Sequence, residues 1–233
     1  MLPVEGLANL AGLLADRTRA AFCVALLDGR AWTAGELAAH VGVAPSTASE
    51  HLSRLVEGGL LVERRQGRHR YLRLADQRVA QLLEDLVAHV EPAAPARTLR
   101  STTASAALAR GRTCYDHLAG RLGVAITDAM AAKGYLARTD GFTVTEAGVA
   151  WLTGPLAADP TALRTAKRPL SRPCLDWTER RTHLAGTAGA HLCAHFQAQG
   201  WVRRTGTTRA VRVTPAGAVA LRELLDLDPA HLG

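Results

Sequence analysis

The chain has 233 residues, of which 48% are hydrophobic, and it carries a formal net charge of +7 with a pI near 9.9. This length suits two small domains, and no apolar run approaches the ~20 residues of a membrane-spanning helix. Residues 1–5 lack the basic and apolar regions of a signal peptide, and four cysteines are too few for a disulfide framework. We therefore expect a cytoplasmic protein with reduced thiols and no membrane partner. Its arginine-rich surplus favours nucleic acid.

Two helices are predicted before residue 30, followed by a helix-turn-helix. Leucines at 7, 10, 13 and 14 indicate the first helix, and residues 17–27 the second. Thr33 and Glu36 form a capping-box pattern at the start of the third helix, which Gly42 ends. Pro45 suits the first position of the fourth helix. That helix has an apolar stripe of Ala48, Leu52, Leu55 and Val56 and ends at the two glycines 58 and 59.

The fourth helix has a polar outer face, and an arginine-rich hairpin follows it. Residues 60–62 and 71–74 predict the two strands of a wing. A polar helix beside a basic hairpin suits a major groove flanked by phosphates. We expect major-groove contacts from Ser46, Thr47, Ser49 and Arg54, and phosphate or minor-groove contacts from Arg68, His69 and Arg70. Glu50, His51, Ser53 and Arg65 complete the predicted DNA-binding set, with His51 in a supporting role.

Residues from about 10 to 90 resemble the ArsR/SmtB-type winged-helix transcriptional regulators. The stretches that carry the resemblance are LADRTR (14–19), ELA (36–38), PSTASEHL (45–52), LVEGGLL (55–61) and QGRHRYLRL (66–74). A minor departure is Arg17, where the family usually has proline. The resemblance implies a homodimer, a palindromic double-stranded DNA operator and repression released by an effector. After the wing, residue spacing predicts a helix that Asp76 can cap, with Val79, Leu82, Leu83, Leu86 and Val90 on one face. The resemblance also implies that the first helix and this helix build the dimer interface.

Beyond the wing, composition and an internal repeat define the rest of the chain. Residues 1–90 are the predicted DNA-binding and dimerisation domain, residues 91–106 a linker rich in Ala, Pro, Ser and Thr, and residues 107–233 a C-terminal domain. The repeat spans 112–152 and 172–225. Its matching pairs are RTCYD with RPCLD, HLAG with HLAG, GYLART with GWVRRT, and VTEAG with VTPAG.

Each copy reads as helix, glycine turn, strand, hairpin, strand and a helix opened by Thr-x-Ala-Gly, which is again a winged-helix outline. The predicted fold is therefore mainly α with small β wings (α+β). It combines an N-terminal winged helix-turn-helix with a tandem winged-helix-like C-terminal domain that serves effector binding or oligomerisation.

The repeated Cys-x-Asp and His residues allow three interpretations. Cys114, Asp116, His117, Cys174, Asp176 and His183 offer sulfur, oxygen and nitrogen donors suited to zinc or a similar metal. Alternatively they are structural, with buried cysteines and an Arg–Asp pair four residues apart in each copy, forming a helix salt bridge or cap. Thiol oxidation or contact with an organic ligand is the third interpretation.

The sequence therefore predicts a DNA-binding transcriptional regulator, a homodimeric repressor whose operator binding is modulated through the C-terminal domain by a metal or small-molecule effector. The alternative is a metal- or small-molecule-processing enzyme domain fused to a DNA-binding module. No nucleophile elbow, phosphate loop or His-Glu-x-x-His pattern supports an enzyme, so no catalytic residue is predicted.

Overall fold

The computed structural model describes residues 3–67, 69–90, 99–138, 142–165, 168–206 and 208–232. The chain divides into two compact units, Met1–Glu84 and Asp85–Gly233. The boundary falls within a helix. The mixed α and β class predicted from the sequence is confirmed. None of the helices in the described ranges combines the length and hydrophobicity that a bilayer crossing needs.

The first unit is a winged helix-turn-helix. Its elements are α1 (Val4–Leu14), α2 (Arg17–Leu26), β1 (Trp32–Thr33), α3 (Ala34–Val41), α4 (Pro45–Glu57), β2 (Leu61–Gln66), β3 (His69–Leu74) and the start of α5 (Gln77–Ala88). The strands form one antiparallel sheet in the order β1-β3-β2. The wing is the β2–β3 hairpin, which pairs from Leu61 with Leu74 to Gln66 with His69.

Capping groups fix where these helices begin and end. The Thr33 hydroxyl accepts from the Glu36 backbone N–H at 3.2 Å, and the Glu36 carboxylate accepts from the Thr33 N–H at 2.7 Å. This is the predicted capping box, and the left-handed Gly42 ends α3 as expected. At α2, the Asp16 carboxylate accepts from the Arg19 N–H at 2.9 Å. Local hydrogen bonding thus sets the helix-turn-helix boundaries.

A single apolar core holds α2, α3, α4 and β3 of the first unit together. Its members include Phe22, Leu26, Leu37, Leu52, Leu55 and Leu72, each at most 1% exposed. Because the stripe of α4 lies in this core, the opposite face of α4 is left at the surface.

The second unit contains both copies of the repeat. The first copy is preceded by α6 (Leu99–Arg110) and comprises β4 (Arg112–Cys114), β5 (His117–Ala119), α7 (Gly120–Ala132), β6 (Leu136–Ala137), β7 (Thr143–Val144) and α8 (Glu146–Thr153). After α9 (Pro160–Thr165), the second comprises β8 (Arg172–Leu175), β9 (Thr182–Ala185), α10 (Gly186–Ala198), β10 (Val202–Arg204), β11 (Val211–Val213) and α11 (Pro215–Leu225), and a 3-10 turn (Pro229–Leu232) follows.

The two copies have the same order of elements, hairpin, helix, hairpin and helix. From the first long helix onward this is the predicted order. Thr145 and Thr214 accept from the backbone of Gly148 and Gly217 and so cap the final helix of each copy. The short hairpin that opens each copy was not predicted, because strands of three or four residues show no periodic signal.

The predicted linker needs a correction at its C-terminal end. Residues 91–98 of the predicted range 91–106 lie outside the described residues, whereas residues 99–106 are part of α6. No proline or glycine occurs between Leu99 and Arg110, and the alanines and leucines of this stretch favour helix enough to outweigh its serines and threonines.

Both copies contribute to one core and approach each other closely. The core combines Leu118, Leu122 and Ile126 of the first copy with Leu184, Leu192 and Phe196 of the second. A Cβ added to Gly189 of α10 would lie 3.2 Å from the Cβ of His117 in β5, and one added to Gly123 of α7 would lie 3.7 Å from the Cβ of His183 in β9. Each long helix therefore lies against the opening hairpin of the other copy.

Candidate functional site

The exposed face of α4 carries most of the predicted groove-contacting residues. Ala48, Leu52 and Leu55 are buried on one side of the helix. The predicted DNA-contact residues that are exposed on α4 are Ser46, Thr47, Ser49, Glu50 and Arg54. Arg54 donates to the Glu50 carboxylate at 2.7 Å, one helical turn away. Such exposed pairs contribute little stability, so a phosphate can replace the carboxylate at small cost.

His51 lies towards the neighbouring helix. Its Nδ1 is 3.5 Å from the Asp16 carboxylate and 3.5 Å from the Arg19 guanidinium, at the start of α2. The ring is partly buried. It belongs to the packing between α2 and α4.

The wing presents some of its predicted residues outwards and uses others internally. The Arg65 side chain is 79% exposed, and His69 is exposed beside Tyr71. Arg70 instead donates to the Glu63 carboxylate at 2.5 Å and to the Ser53 hydroxyl of α4 at 3.3 Å. Arg70 and Ser53 therefore connect the wing to α4. Arg68 lies outside the described residues.

In the second unit, the opening hairpins gather two cysteines and two histidines into a buried cluster. Cys114 is the cross-strand partner of His117 in β4–β5, and Cys174 is the partner of His183 in β8–β9. Directly opposite residues project from the same face of a hairpin, so each copy presents one sulfur and one imidazole together. The side chains Cys114, His117, Cys174 and His183 are at most 3% exposed.

The donor atoms of this cluster converge on one point. The ligand atoms of the four residues all lie within 4.8 Å of one another. The two sulfurs are 3.9 Å apart, and the Nε2 atoms of His117 and His183 are 3.1 Å apart. The structure thus brings together four of the six residues predicted as metal candidates, two from each copy.

The two predicted aspartates lie behind the histidines. Asp116 Oδ1 is 3.4 Å from Nδ1 of His117, and Asp176 Oδ2 is 3.3 Å from Nδ1 of His183. Asp116 is held in turn by Arg168 at 2.6 Å. Asp116 is therefore placed to orient the His117 ring, whereas Asp176 lies near Nδ1 of His183, which has no hydrogen-bond partner among the described residues. Neither aspartate belongs to the group of four converging donors.

The Arg–Asp spacing seen in both copies does not form a helical salt bridge, which corrects the structural interpretation of those residues. Arg112 is fully buried in β4 and donates to Asp176 of the other copy at 3.1 Å. Asp176 also accepts from the Gly120 N–H at 2.7 Å and the Thr178 hydroxyl at 2.7 Å. Pro173, directly before Cys174, was a signal against a helix there, because proline removes a backbone donor.

Electrostatics favour charged forms in and around the cluster. Burial by itself raises the pKa of Asp176, but Arg112 and the hydrogen bonds from Thr178 and Gly120 hold that pKa below its usual range. The hydrogen bond with Cys114 and the neighbouring histidines lower the pKa of the Cys174 thiol against the effect of burial. Cys193, buried outside the cluster, shows the contrast, because burial raises its pKa to about 11.

Comparisons with known proteins agree with the fold of the first unit, and one relative aligns with nearly the full length of the chain. A helix-turn-helix domain family, HTH_20, matches residues 14–64. The chain is 37% identical over 222 residues to the uncharacterized HTH-type transcriptional regulator YdfF of Bacillus subtilis, covering 95% of this chain and 97% of that protein. It is 47% identical over 83 residues to the HTH-type transcriptional regulator CmtR of Mycobacterium tuberculosis, covering 36% of this chain and 70% of that protein.

Among solved structures, the chain is similar to the NMR structure of the cadmium metal-sensor CMTR from Mycobacterium tuberculosis, with 41% sequence identity and a TM-score of 0.32. The match covers 40% of this chain and 99% of that chain.

A winged helix-turn-helix with these relatives defines a DNA-binding transcriptional regulator. The chain belongs to the HTH-type transcriptional regulators, and it aligns with YdfF over nearly its full length.

Proposed function

We propose that this regulator acts as a homodimeric repressor that reads a palindromic operator with α4. The observation that carries the proposal is the polar face of α4, exposed opposite a buried stripe and next to the outward Arg65 of the wing. Two such helices in a dimer enter successive major grooves, with centres about 34 Å apart. The exposed apolar side chains of Val4 and Leu7 in α1 support a dimer interface that uses this helix.

Within this proposal the predicted residues have different tasks. Ser46, Thr47 and Ser49 contact base edges. Arg54 gives up its hydrogen bond to the Glu50 carboxylate and contacts DNA in the groove instead. Arg65, Arg68 and His69 contact phosphates. Ser53 and Arg70 set the position of the wing relative to α4, and His51 sets that of α4 relative to α2. The internal hydrogen bonds of the last three support positioning.

The second unit is assigned a regulatory role in the same proposal. An effector, a metal ion or a small molecule, alters operator affinity only if it binds the two DNA-binding states with different affinity. Since the relatives are named as transcriptional regulators, we assign this unit no catalytic activity. We propose a cytoplasmic location, because the relatives are bacterial regulators and bacterial DNA lies in the cytoplasm.

The experiment that tests DNA reading begins with a pool of duplexes with a randomised core, from which the full chain selects its preferred sequence. Fluorescence anisotropy then compares the selected duplex with a scrambled one. For the Ser46→Ala/Thr47→Ala variant we expect the preference for the selected duplex to fall by about tenfold or more, because each base contact contributes ~1–3 kcal/mol.

The matched control is Ser105→Ala, an exposed serine in α6 of the second unit. It should retain the full preference. An unchanged preference in the Ser46→Ala/Thr47→Ala variant, with intact helical circular dichroism, would show that α4 does not read the operator through these residues.

A further inference from the structure

We propose that Cys114, His117, Cys174 and His183 bind one Zn²⁺ ion in a closed tetrahedral site that joins the two copies of the repeat. The inference does not rest on the proposed operator or on repression. It concerns the second unit alone and has its own test.

The donor set selects the class of ion. Two sulfurs and two imidazole nitrogens are the ligands of structural zinc sites. The aspartate oxygens lie behind the rings, so the inner set has no carboxylate. Calcium and magnesium prefer oxygen ligands, whereas the four converging donors are sulfur and nitrogen atoms.

The spacing of the donors matches the edges of a zinc tetrahedron. Bond lengths of about 2.3 Å to sulfur and about 2.0–2.1 Å to nitrogen place two sulfurs about 3.8 Å apart and two nitrogens about 3.3 Å apart. The observed separations are 3.9 Å between the sulfurs of Cys114 and Cys174 and 3.1 Å between the Nε2 atoms of His117 and His183. These two edges therefore match a zinc tetrahedron to within a few tenths of an ångström, and the sulfur–nitrogen separations, all within 4.8 Å, would shorten when the ion binds.

The histidine rings are placed so that they can share one cation. The Nε2 atoms of His117 and His183 lie 3.1 Å apart, and each Nδ1 has a carboxylate oxygen within 3.4 Å. Nδ1 of His183 has no hydrogen-bond partner among the described residues, so its contact with Asp176 is one of proximity. A ring that carries its proton on Nδ1 has an Nε2 lone pair that can bind a metal, and a carboxylate behind the histidine is the usual outer shell of zinc sites.

The site is structural because it is closed. All four ligands come from the protein and are buried, so no position is open to substrate or water. The ligands of the two copies are 60 residues apart between the cysteines and 66 between the histidines. Binding free energy therefore contributes to the folding of the second unit, since a dispersed ligand set does not form a site in the unfolded chain.

The test is the metal content of the full chain purified without chelator, measured by elemental mass spectrometry. We expect about one zinc per chain in the wild type and its loss in the Cys114→Ala/Cys174→Ala variant. Cys193→Ala is the matched control, a buried cysteine of the same unit outside the cluster, and should keep the metal.

A second measurement is independent of whether the variant folds. Co²⁺ added to the wild-type chain after removal of metal should give tetrahedral d–d bands and a thiolate-to-cobalt charge-transfer band, and Zn²⁺ should abolish both. A folded wild-type chain with far less than one metal ion per chain and no such bands would overturn the proposal, as would equal metal in the double cysteine variant. A disulfide between Cys114 and Cys174 in metal-free folded protein would reassign the cluster to thiol oxidation.

Discussion

At the scale of single residues, Arg112 is a charged side chain in the interior of the second unit, and its burial requires partners. Its side chain is fully buried, with Asp176 at 3.1 Å, the Thr178 hydroxyl at 3.2 Å and the Trp177 ring centre 4.8 Å from the guanidinium carbon. A buried charge is tolerated only when it is paired. The arginine and the aspartate come from different copies, so the pair also holds the copies together.

We predict that Arg112→Met lowers the free energy of unfolding of the second unit by about 3–5 kcal/mol, because it leaves the Asp176 charge buried without its cation. Urea unfolding followed by tryptophan fluorescence measures this, since Trp151, Trp177 and Trp201 all lie in that unit. As a control, Arg222→Met removes the exposed pair with Asp228 and should change stability by about 0.5 kcal/mol or less. Equal effects of the two substitutions would contradict the assignment.

At the scale of elements, the long helices depend on glycine for their closeness to the opening hairpins. A Cβ at Gly189 would lie 2.4 Å from the Leu184 carbonyl oxygen, and one at Gly123 would lie 2.3 Å from the Leu118 carbonyl oxygen. These contacts involve backbone, which cannot move aside as a side chain can. The same approach brings each helix beside a histidine of the other copy.

Gly189→Ala should therefore destabilise the second unit by about 1–3 kcal/mol, the usual cost of overpacking. Gly35→Ala in α3, where an added Cβ meets nothing within 4 Å, should change stability by about 0.5 kcal/mol or less. Thermal unfolding of the two variants beside the wild type is the measurement. If Gly189→Ala left the unfolding temperature unchanged, α10 would have room to move away from the opening hairpins.

Element boundaries in the first unit were predictable because local groups set them. The capping box at Thr33 and Glu36, Pro45 at the start of α4 and Gly42 after α3 act within a few residues of themselves. The opening hairpins of the repeat were missed, and with them the pairing of Cys114 with His117. Their strands are too short for a periodic pattern to appear.

At the scale of the whole molecule, net charge affects the affinity of the protein for DNA of any sequence. A net charge of +7 favours association with any duplex and makes it sensitive to salt. In the function proposed above, sequence preference comes from a different source, the polar face of α4. The two contributions can therefore be separated by experiment.

For Arg65→Gln we predict weaker binding to the selected and the scrambled duplex alike, and a slope of log affinity against log salt that is smaller in magnitude by about one, because one phosphate contact is lost. Anisotropy titrations over a range of salt concentrations measure this slope. Arg222→Gln removes the same charge from α11 in the second unit. If both variants change the slope equally, the effect belongs to net charge and Arg65 makes no phosphate contact.

The sequence alone determined the DNA-reading unit, the internal repeat and the types of donor in the candidate metal site. Periodicity, helix caps and the repeated Cys-x-Asp motif with its following His are local properties, so they can be recognised from the sequence alone. Only the tertiary structure decided that Cys114, His117, Cys174 and His183 converge while the aspartates lie behind, and that Arg112 pairs with Asp176. These contacts join residues some sixty positions apart. The packing of one copy against the other determines them, and no local pattern encodes it.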